Sequence, residues 1–391
     1  MQYNFDEIIS RKNTRSVKYD LRTEIFGKSD VLPMWVADMD FRTPDVIIEA
    51  IKQRLDHEIL GYSIRDDAYD NALINWLERR HQWNIQKEWI AFAPGIVPGF
   101  NLAVMAFTEP GDGIIVQPPV YFPFFGAVKD HQRQLMLNPL IRQNGNYFMD
   151  YDNLEQCCRD GARMLILCNP HNPVGRAWTP EELKRMGDIC LKYNVLIISD
   201  EIHADLVNRG YKHTVLAGLS PGIAALTITM VAASKTFNLA GLGTASVIAS
   251  NPELLEGYNR MLNAVHVGMG NIFGNVATEA AYNKGEPWLE QLLDYIDGNV
   301  QFLMSYQQRL QPWVNYEAPE ATYMAWLNFS KLGLDDESLN SFIIHEAGLG
   351  LNAGIQFGNG GEGFMRMNLA CPRATLRKAL DQLEKALYIN F

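Results

Sequence analysis

The run LTITMVAASKTFNLAGLG, residues 226–243, sets a mostly apolar octet against a serine–lysine pair and a glycine-containing tail. An apolar segment of that length, rich in β-branched residues, reads as a buried strand. A charged ammonium at the mouth of a buried sheet is costly unless it is paired, neutralised or used chemically. Lys235 therefore asks for a chemical explanation, and the surrounding chain supplies candidates.

On the N-terminal side of this run, the chain alternates short apolar runs with amphipathic stretches. WIAFAPG, GIIVQPPVY, RMLILCNP and NVLIISDEIH precede LTITMVAASK. Such β–α alternation predicts a mostly parallel central sheet with helices on both faces. TPEELKRMGDICLKY, residues 179–193, carries its own start signal: Thr179 as N-cap, Pro180 at the first helical position and Glu182 to close a capping box. Helices are also predicted for DVIIEAIKQRLDH and YDNALINWLERRHQW. Beyond about residue 285 the pattern changes. A long amphipathic helix over residues 288–310 is followed by TYMAWLNF, the helix DDESLNSFIIHEA, the strand FMRMNLA and a last helix TLRKALDQLEKALYI. The expected organisation is an N-terminal segment (1–48) packing with the small domain, a large domain (49–285) and a smaller α/β C-terminal domain (286–391).

The 391 residues are 47% hydrophobic and 20% charged, enough for two domains with a sizeable core. A net charge of −11 without basic clusters argues against a nucleic-acid partner. No apolar run approaches the roughly 20 residues needed to cross a bilayer, and MQYNFDEIISRKNTRS lacks a signal-peptide core, so neither a membrane anchor nor a leader is expected. The five cysteines form no CxxC pair, which fits a reducing, cytoplasmic setting. Histidines 171, 203 and 213 stand at no metal-ligand spacing, and no metal site is expected.

In an open parallel sheet, ligands bind outside the carboxyl ends of the strands. Tyr121, Asn172, Asp200 and Lys235 all follow predicted strands at that end. Each has an ordinary reading by itself: Tyr121 as packing, Asn172 as a turn former, Asp200 as a cap, Lys235 snorkelling to solvent. Together they place an aromatic ring, an amide, a carboxylate and an amine at one crevice. That set suits a planar, phosphorylated aldehyde such as pyridoxal 5′-phosphate, which needs a lysine for its imine, a carboxylate for its ring nitrogen, a donor for its phenolic oxygen and a stacking ring. FAPGIVPGFNLAV offers the N–H groups of Gly95, Ile96 and Val97 at a helix start for a phosphate, and Ser234 can add its hydroxyl.

NPHNPVGR, ISDEIHAD, SKTFNLAGL and MRMNLACPR, with MWVADMDF near the start and GYS at 61–63, resemble the fold-type I pyridoxal-phosphate enzymes of the class I/II aminotransferase superfamily. The likeness runs along essentially the whole chain and is greatest to cystathionine β-lyases of the MalY/PatB type. It implies an aminotransferase-like large domain and a carbon–sulfur lyase acting on cystathionine or related S-substituted cysteines. It also implies that Lys235 binds the cofactor aldehyde and afterwards serves as base, with Asp200 on the pyridine nitrogen and Tyr121 stacked on the ring. Asn172 would donate to the phenolic oxygen. The substrate α-carboxylate would lie on Arg366, with Asn172 and Ala37 lining the substrate side, while Tyr62 would reach the phosphate of a neighbouring subunit in a homodimer.

Two departures from the general aminotransferase pattern match the lyase branch. Gly243 stands where those enzymes carry an arginine eight residues after the lysine, and His203, a further cofactor-binding candidate, stands where they carry tyrosine. Transamination stays open as an alternative, as does a non-catalytic regulator of the same fold. GNGGEG, residues 358–363, satisfies G-x-G-x-x-G but precedes a predicted strand instead of opening a helix, so it reads as a turn near Arg366.

Overall fold

The computed structural model describes residues 2–391. Its centre is a seven-stranded sheet in the order 90–93, 245–248, 227–231, 196–200, 162–168, 113–116 and 134–137. Every neighbouring pair is parallel except those made by Ala245–Ile248, which runs antiparallel to both of its neighbours. Gly113–Val116 and Thr227–Val231 are buried along their whole length. Helices cover both faces of such a sheet, which is why its strands read as continuous apolar runs rather than as alternating ones.

Local signals place the helices. Pro180–Tyr193 has the full capping box between Thr179 and Glu182, and Asn194 closes it in a left-handed conformation. Asp66 caps Asp67–His81 by accepting from the N–H groups of Ala68 and Tyr69. The expected helix over 288–310 differs in detail. It begins at Glu286 and runs to Ser305, and a short turn, Gln307–Leu310, follows. At Tyr306 the backbone tightens, its N–H bonding Leu303 O at 3.0 Å, while its hydroxyl holds Asp381 at 2.7 Å. The tertiary bond thus falls where the periodic pattern alone would continue the helix.

A separate three-stranded antiparallel sheet is built from Met324–Asn328, Phe364–Asn368 and Asn352–Ala353, with Phe364–Asn368 in the middle. Its register sets Arg366 between Trp326 and Asn352. The N-terminal residues join this region: Leu32–Pro33 pairs in parallel with Leu349–Gly350, and Met34 packs into the same core as Val300, Leu303, Leu376 and Leu380. GNGGEG is a close-packed turn before the Arg366 strand. A Cβ on Gly361 would come within 2.0 Å of the Gly354 carbonyl, and one on Gly358 within 2.6 Å of the Phe125 ring. Glycine is required there by close backbone approach, not by a dinucleotide.

Candidate active site

A cavity of about 260 Å³ opens at the carboxyl ends of the central strands. Lys235 and Asp200 both line it, with Tyr121, Asn172 and His203. Ser234, Ala37 and the helix start at Gly95, Ile96 and Val97 complete the wall. Ten of the residues singled out by the sequence therefore meet in one space. Arg366 adjoins it through a hydrogen bond from Nη1 to Asn172 Oδ1 at 3.0 Å. Tyr62 stands apart: it is 95% exposed and does not line the cavity.

Lys235 follows Thr227–Val231 in a short turn of helix, Ala233–Thr236, and is half-buried in the cavity wall. Burial, reinforced by the Arg366 guanidinium, pushes its amine down to about 8, against the opposing pull of Asp38 and Asp200. Its Nζ donates to the Ala37 carbonyl at 2.6 Å. Asp200 ends its strand with a buried carboxyl that accepts from the Ile202 N–H at 3.1 Å. Desolvation raises that carboxyl to about 7. The pair is thus moved toward shared titration near neutrality, which is common where proton chemistry is done.

His203 is lowered to about 3 by burial and by the nearby Lys235 and Arg366 cations, so it is a neutral imidazole. Its Nδ1 has no hydrogen-bond partner among the described residues, and its ring lies edge-on to Tyr323 at 6.0 Å. Burial raises the Tyr121 phenol to about 12, which keeps it protonated. Asn172 commits its amide oxygen to Arg366, leaving Nδ2 as its donor. The segment Ile96–Phe107 is a twelve-residue helix entered through Gly95 at φ +117°, a conformation that only glycine adopts freely. Its first N–H groups have no acceptor within the helix, and they line the cavity where an anion could accept from them.

Arg366 is 3% exposed, and burial lowers it to about 10. Besides Asn172 it donates from Nη2 to Trp35 O at 2.8 Å and to Asn352 Oδ1 at 2.7 Å, whereas Nε has no partner. A buried guanidinium with an unused donor beside a cavity has the geometry and charge to bind a carboxylate.

Sequence reasoning singled out Lys235 and Arg366 but passed over their role, and that of their neighbours, in holding the loop 34–41. Its carbonyls are bonded one after another: Trp35 to Arg366, Val36 to Asn368, Ala37 to Lys235 and Tyr323, Met39 to Asn238. Arg11 grips Asp38 at 2.6 Å and Asp40 at 2.8 Å, and the buried Lys18 bonds Asp40 at 2.9 Å. Lys235, Asn238, Arg366 and Asn368 lie in motifs quoted above, but nothing in their spacing reveals them as anchors of this loop, and Arg11, Lys18 and Tyr323 lie in no motif. Only the cost of burying Lys18 in an otherwise polar N-terminus hints at a pairing.

The chain matches the family model for aminotransferase class I and II over residues 29–383. It is 44% identical over 385 residues to the cystathionine beta-lyase PatB of Bacillus subtilis, covering 98% of this chain and 100% of that one. Among solved structures, cystalysin of Treponema denticola, which contains pyridoxal 5′-phosphate, superposes with a TM-score of 0.97 at 38% identity and full coverage of both chains. The PLP-bound C-S lyase of Staphylococcus hominis superposes with a TM-score of 0.93 at 36% identity, covering 99% of this chain and 98% of that one. Among the described residues no helix is long and apolar enough to cross a membrane.

Proposed function

Since the chain belongs to the aminotransferase class I and II family, we propose that it is a pyridoxal-5′-phosphate-dependent carbon–sulfur β-lyase. It cleaves the Cβ–S bond of cystathionine or related S-substituted cysteines and releases a thiol, pyruvate and ammonia. One observation carries this reading: a half-buried amine lowered to about 8 and a buried carboxyl raised to about 7 share a cavity with an arginine at its edge.

The residues present fit the cofactor. Asp200 has no cation in hydrogen-bonded contact among the described residues, and as a carboxylate it would accept a hydrogen bond from the protonated ring nitrogen, which offsets the cost of its burial. Tyr121 offers a stacking ring, Asn172 its Nδ2, and His203 a neutral imidazole. The helix start at Gly95–Val97 and Ser234 would hold the phosphate. When bound, pyridoxal phosphate supplies an aldehyde for amine exchange and a ring that stabilises negative charge at the substrate Cα.

Arg366 binds the substrate α-carboxylate and fixes the amino acid's orientation. Lys235, whose lowered pKa keeps much of its amine neutral near pH 8, takes the Cα proton onto Nζ. Asp200, as a carboxylate facing the ring nitrogen, would favour that nitrogen's protonated form. Tyr121 retains its own phenolic proton throughout.

Tyr62 belongs to the same proposal as a residue donated to a second copy's phosphate, which makes the protein a homodimer with shared sites. Support comes from the exposed apolar stretch Ile59, Leu60, Tyr62 and Ile64 and from Arg65, which ties that stretch to Gly268 O at 3.0 Å beside the exposed Val267 and Met269. The division at residues 48 and 285 is likewise our reading, supported by the separate sheet around Arg366 and by Met34 in its core. A cytoplasmic location fits the five free cysteines.

Purified protein incubated with cystathionine should yield pyruvate and free thiol without an added keto acid. Keto-acid product formed only when an amino acceptor is supplied would replace the lyase reading with transamination.

A further inference from the structure

The Ala37 carbonyl accepts two hydrogen bonds, from Lys235 Nζ at 2.6 Å and from the Tyr323 hydroxyl at 3.0 Å. A carbonyl oxygen has two lone pairs, so the two donors saturate it. Tyr323 is 1% exposed, and its ring lies edge-on to His203. Its backbone is held as firmly: Leu369 N donates to Tyr323 O at 2.7 Å. The preceding Thr322 sits at φ +69°, a conformation that β-branched residues rarely adopt. Buried bonds hold it there, from Thr322 N to Leu206 O at 2.6 Å and from Met324 N to Thr322 Oγ1 at 3.1 Å. Strain of this kind persists only where the surroundings over-determine it, and it tends to mark working parts of a site.

We propose that Tyr323 is a positioning residue for the Lys235 base, acting through the Ala37 carbonyl that both donate to. By occupying one lone pair, the hydroxyl fixes the carbonyl's orientation and weakens its hold on an ammonium. The amine is thereby left freer to be neutral, to capture the cofactor and to take a proton. This rests on the lyase reading above, in which Lys235 binds the cofactor.

Other groups also face Lys235 and set the background. Asp38, on the same loop as Ala37, and Asp200 favour the ammonium, while Arg366 disfavours it. His203 is neutral, Tyr121 is protonated, and Tyr323 is itself raised by burial and remains a proton donor. Arg11 and Lys18 partly offset Asp38 by pairing with it. Of these groups, Tyr323 alone is altered by removing its hydroxyl.

The test is cofactor capture by the apoprotein. Apoprotein is mixed with pyridoxal 5′-phosphate, and the rate of imine absorbance is followed against pH. In Tyr323→Phe the carbonyl belongs to Lys235 alone and holds its ammonium more tightly. Because two donors sharing one acceptor weaken each other by about 10–30% of a bond to a charged group of about 1.5–3 kcal/mol, the midpoint of the rate profile should move up by roughly 0.1–0.6 pH unit. Capture at pH 7 should slow by up to about fourfold. Tyr323→Leu, which also lacks the hydroxyl, must shift the midpoint in the same direction.

Tyr316→Phe is the matched control. Its buried hydroxyl donates to Leu303 O at 2.9 Å in the small-domain core, so it loses an equivalent bond away from the cavity. Its midpoint should stay in place. An unmoved or lowered midpoint in Tyr323→Phe, or an equal shift in Tyr316→Phe, overturns the proposal while leaving the lyase reading intact. Failure of the unsubstituted chain to form any imine overturns both.

Discussion

Replacing Arg366 by lysine keeps a positive charge and removes a geometry. Of the guanidinium's five N–H donors, three are used by Asn172, Trp35 and Asn352, so two remain for a substrate carboxylate. An ammonium has three donors in all. Those three would be absorbed by the same acceptors, leaving the carboxylate a charge without a dedicated bond. A hydrogen bond to a charged group contributes about 1.5–3 kcal/mol, so losing two of them while keeping the charge costs about 3 kcal/mol. At about 1.4 kcal/mol per decade this is about a hundredfold in kcat/KM. Because the carboxylate is held alike in the ground and transition states, the loss should appear mainly in KM. Steady-state kinetics on an S-alkyl cysteine would measure it, alongside binding of the corresponding amine without the carboxylate, whose affinity should change less than about twofold. A kcat/KM within about fivefold of the unsubstituted protein, or an equal loss of affinity for the carboxylate-free amine, would refute the assignment of Arg366 as carboxylate receptor.

Lys235→Ala should abolish both turnover and the visible imine band, as read by absorbance and a pyruvate assay; retained turnover would remove Lys235 from the chemistry. Asp200 gives a stability test in the apoprotein. Its folded pKa, about 7, is raised above the ordinary 3.8, so the folded state binds the extra proton and stability falls as pH rises through the window between those values. Asp200→Asn should therefore melt higher than the parent apoprotein at pH 8, by at most about 4 kcal/mol, with the gap closing toward pH 4 in thermal scans, and it should lose most activity. Thr179→Ala removes the capping-box hydroxyl that accepts from the Glu182 N–H and should cost about 1 kcal/mol in a urea titration, with pyruvate formation unchanged.

The central sheet was legible because parallel strands buried on both faces leave uninterrupted apolar runs, and because Tyr121, Asn172, Asp200 and Lys235 follow those runs directly. The capping box was legible for the same reason: its partners are three residues apart. What escaped was held together across the chain. Tyr323 meets Ala37 over a separation of 286 residues, and Asn368 meets Val36 over 332. Asn352 reaches Arg366 only because an antiparallel register sets them opposite each other. Helix ends failed in a related way. The pattern of residues 288–310 is periodic throughout, yet a bond from Tyr306 to a distant aspartate coincides with the end of the helix.

The two substitutions that separate this chain from general aminotransferases have consequences that the cavity makes concrete. Gly243 lines it at φ +52°, where an L side chain would be strained. A cofactor phosphate here would rely on the N–H groups at the start of Ile96–Phe107, on Ser234 and on a partner's Tyr62, which are neutral donors without a formal counter-charge. His203, in place of tyrosine, is a neutral ring with an unpartnered Nδ1 and so differs in its hydrogen-bonding options. The charges that act on Lys235 are Arg366, which disfavours its ammonium, and Asp38 and Asp200, which favour it. On the lyase reading, the competition between losing a group from Cβ and returning a proton elsewhere would run through this amine, and the positioning role proposed for Tyr323 would act there through the Ala37 carbonyl that both donate to.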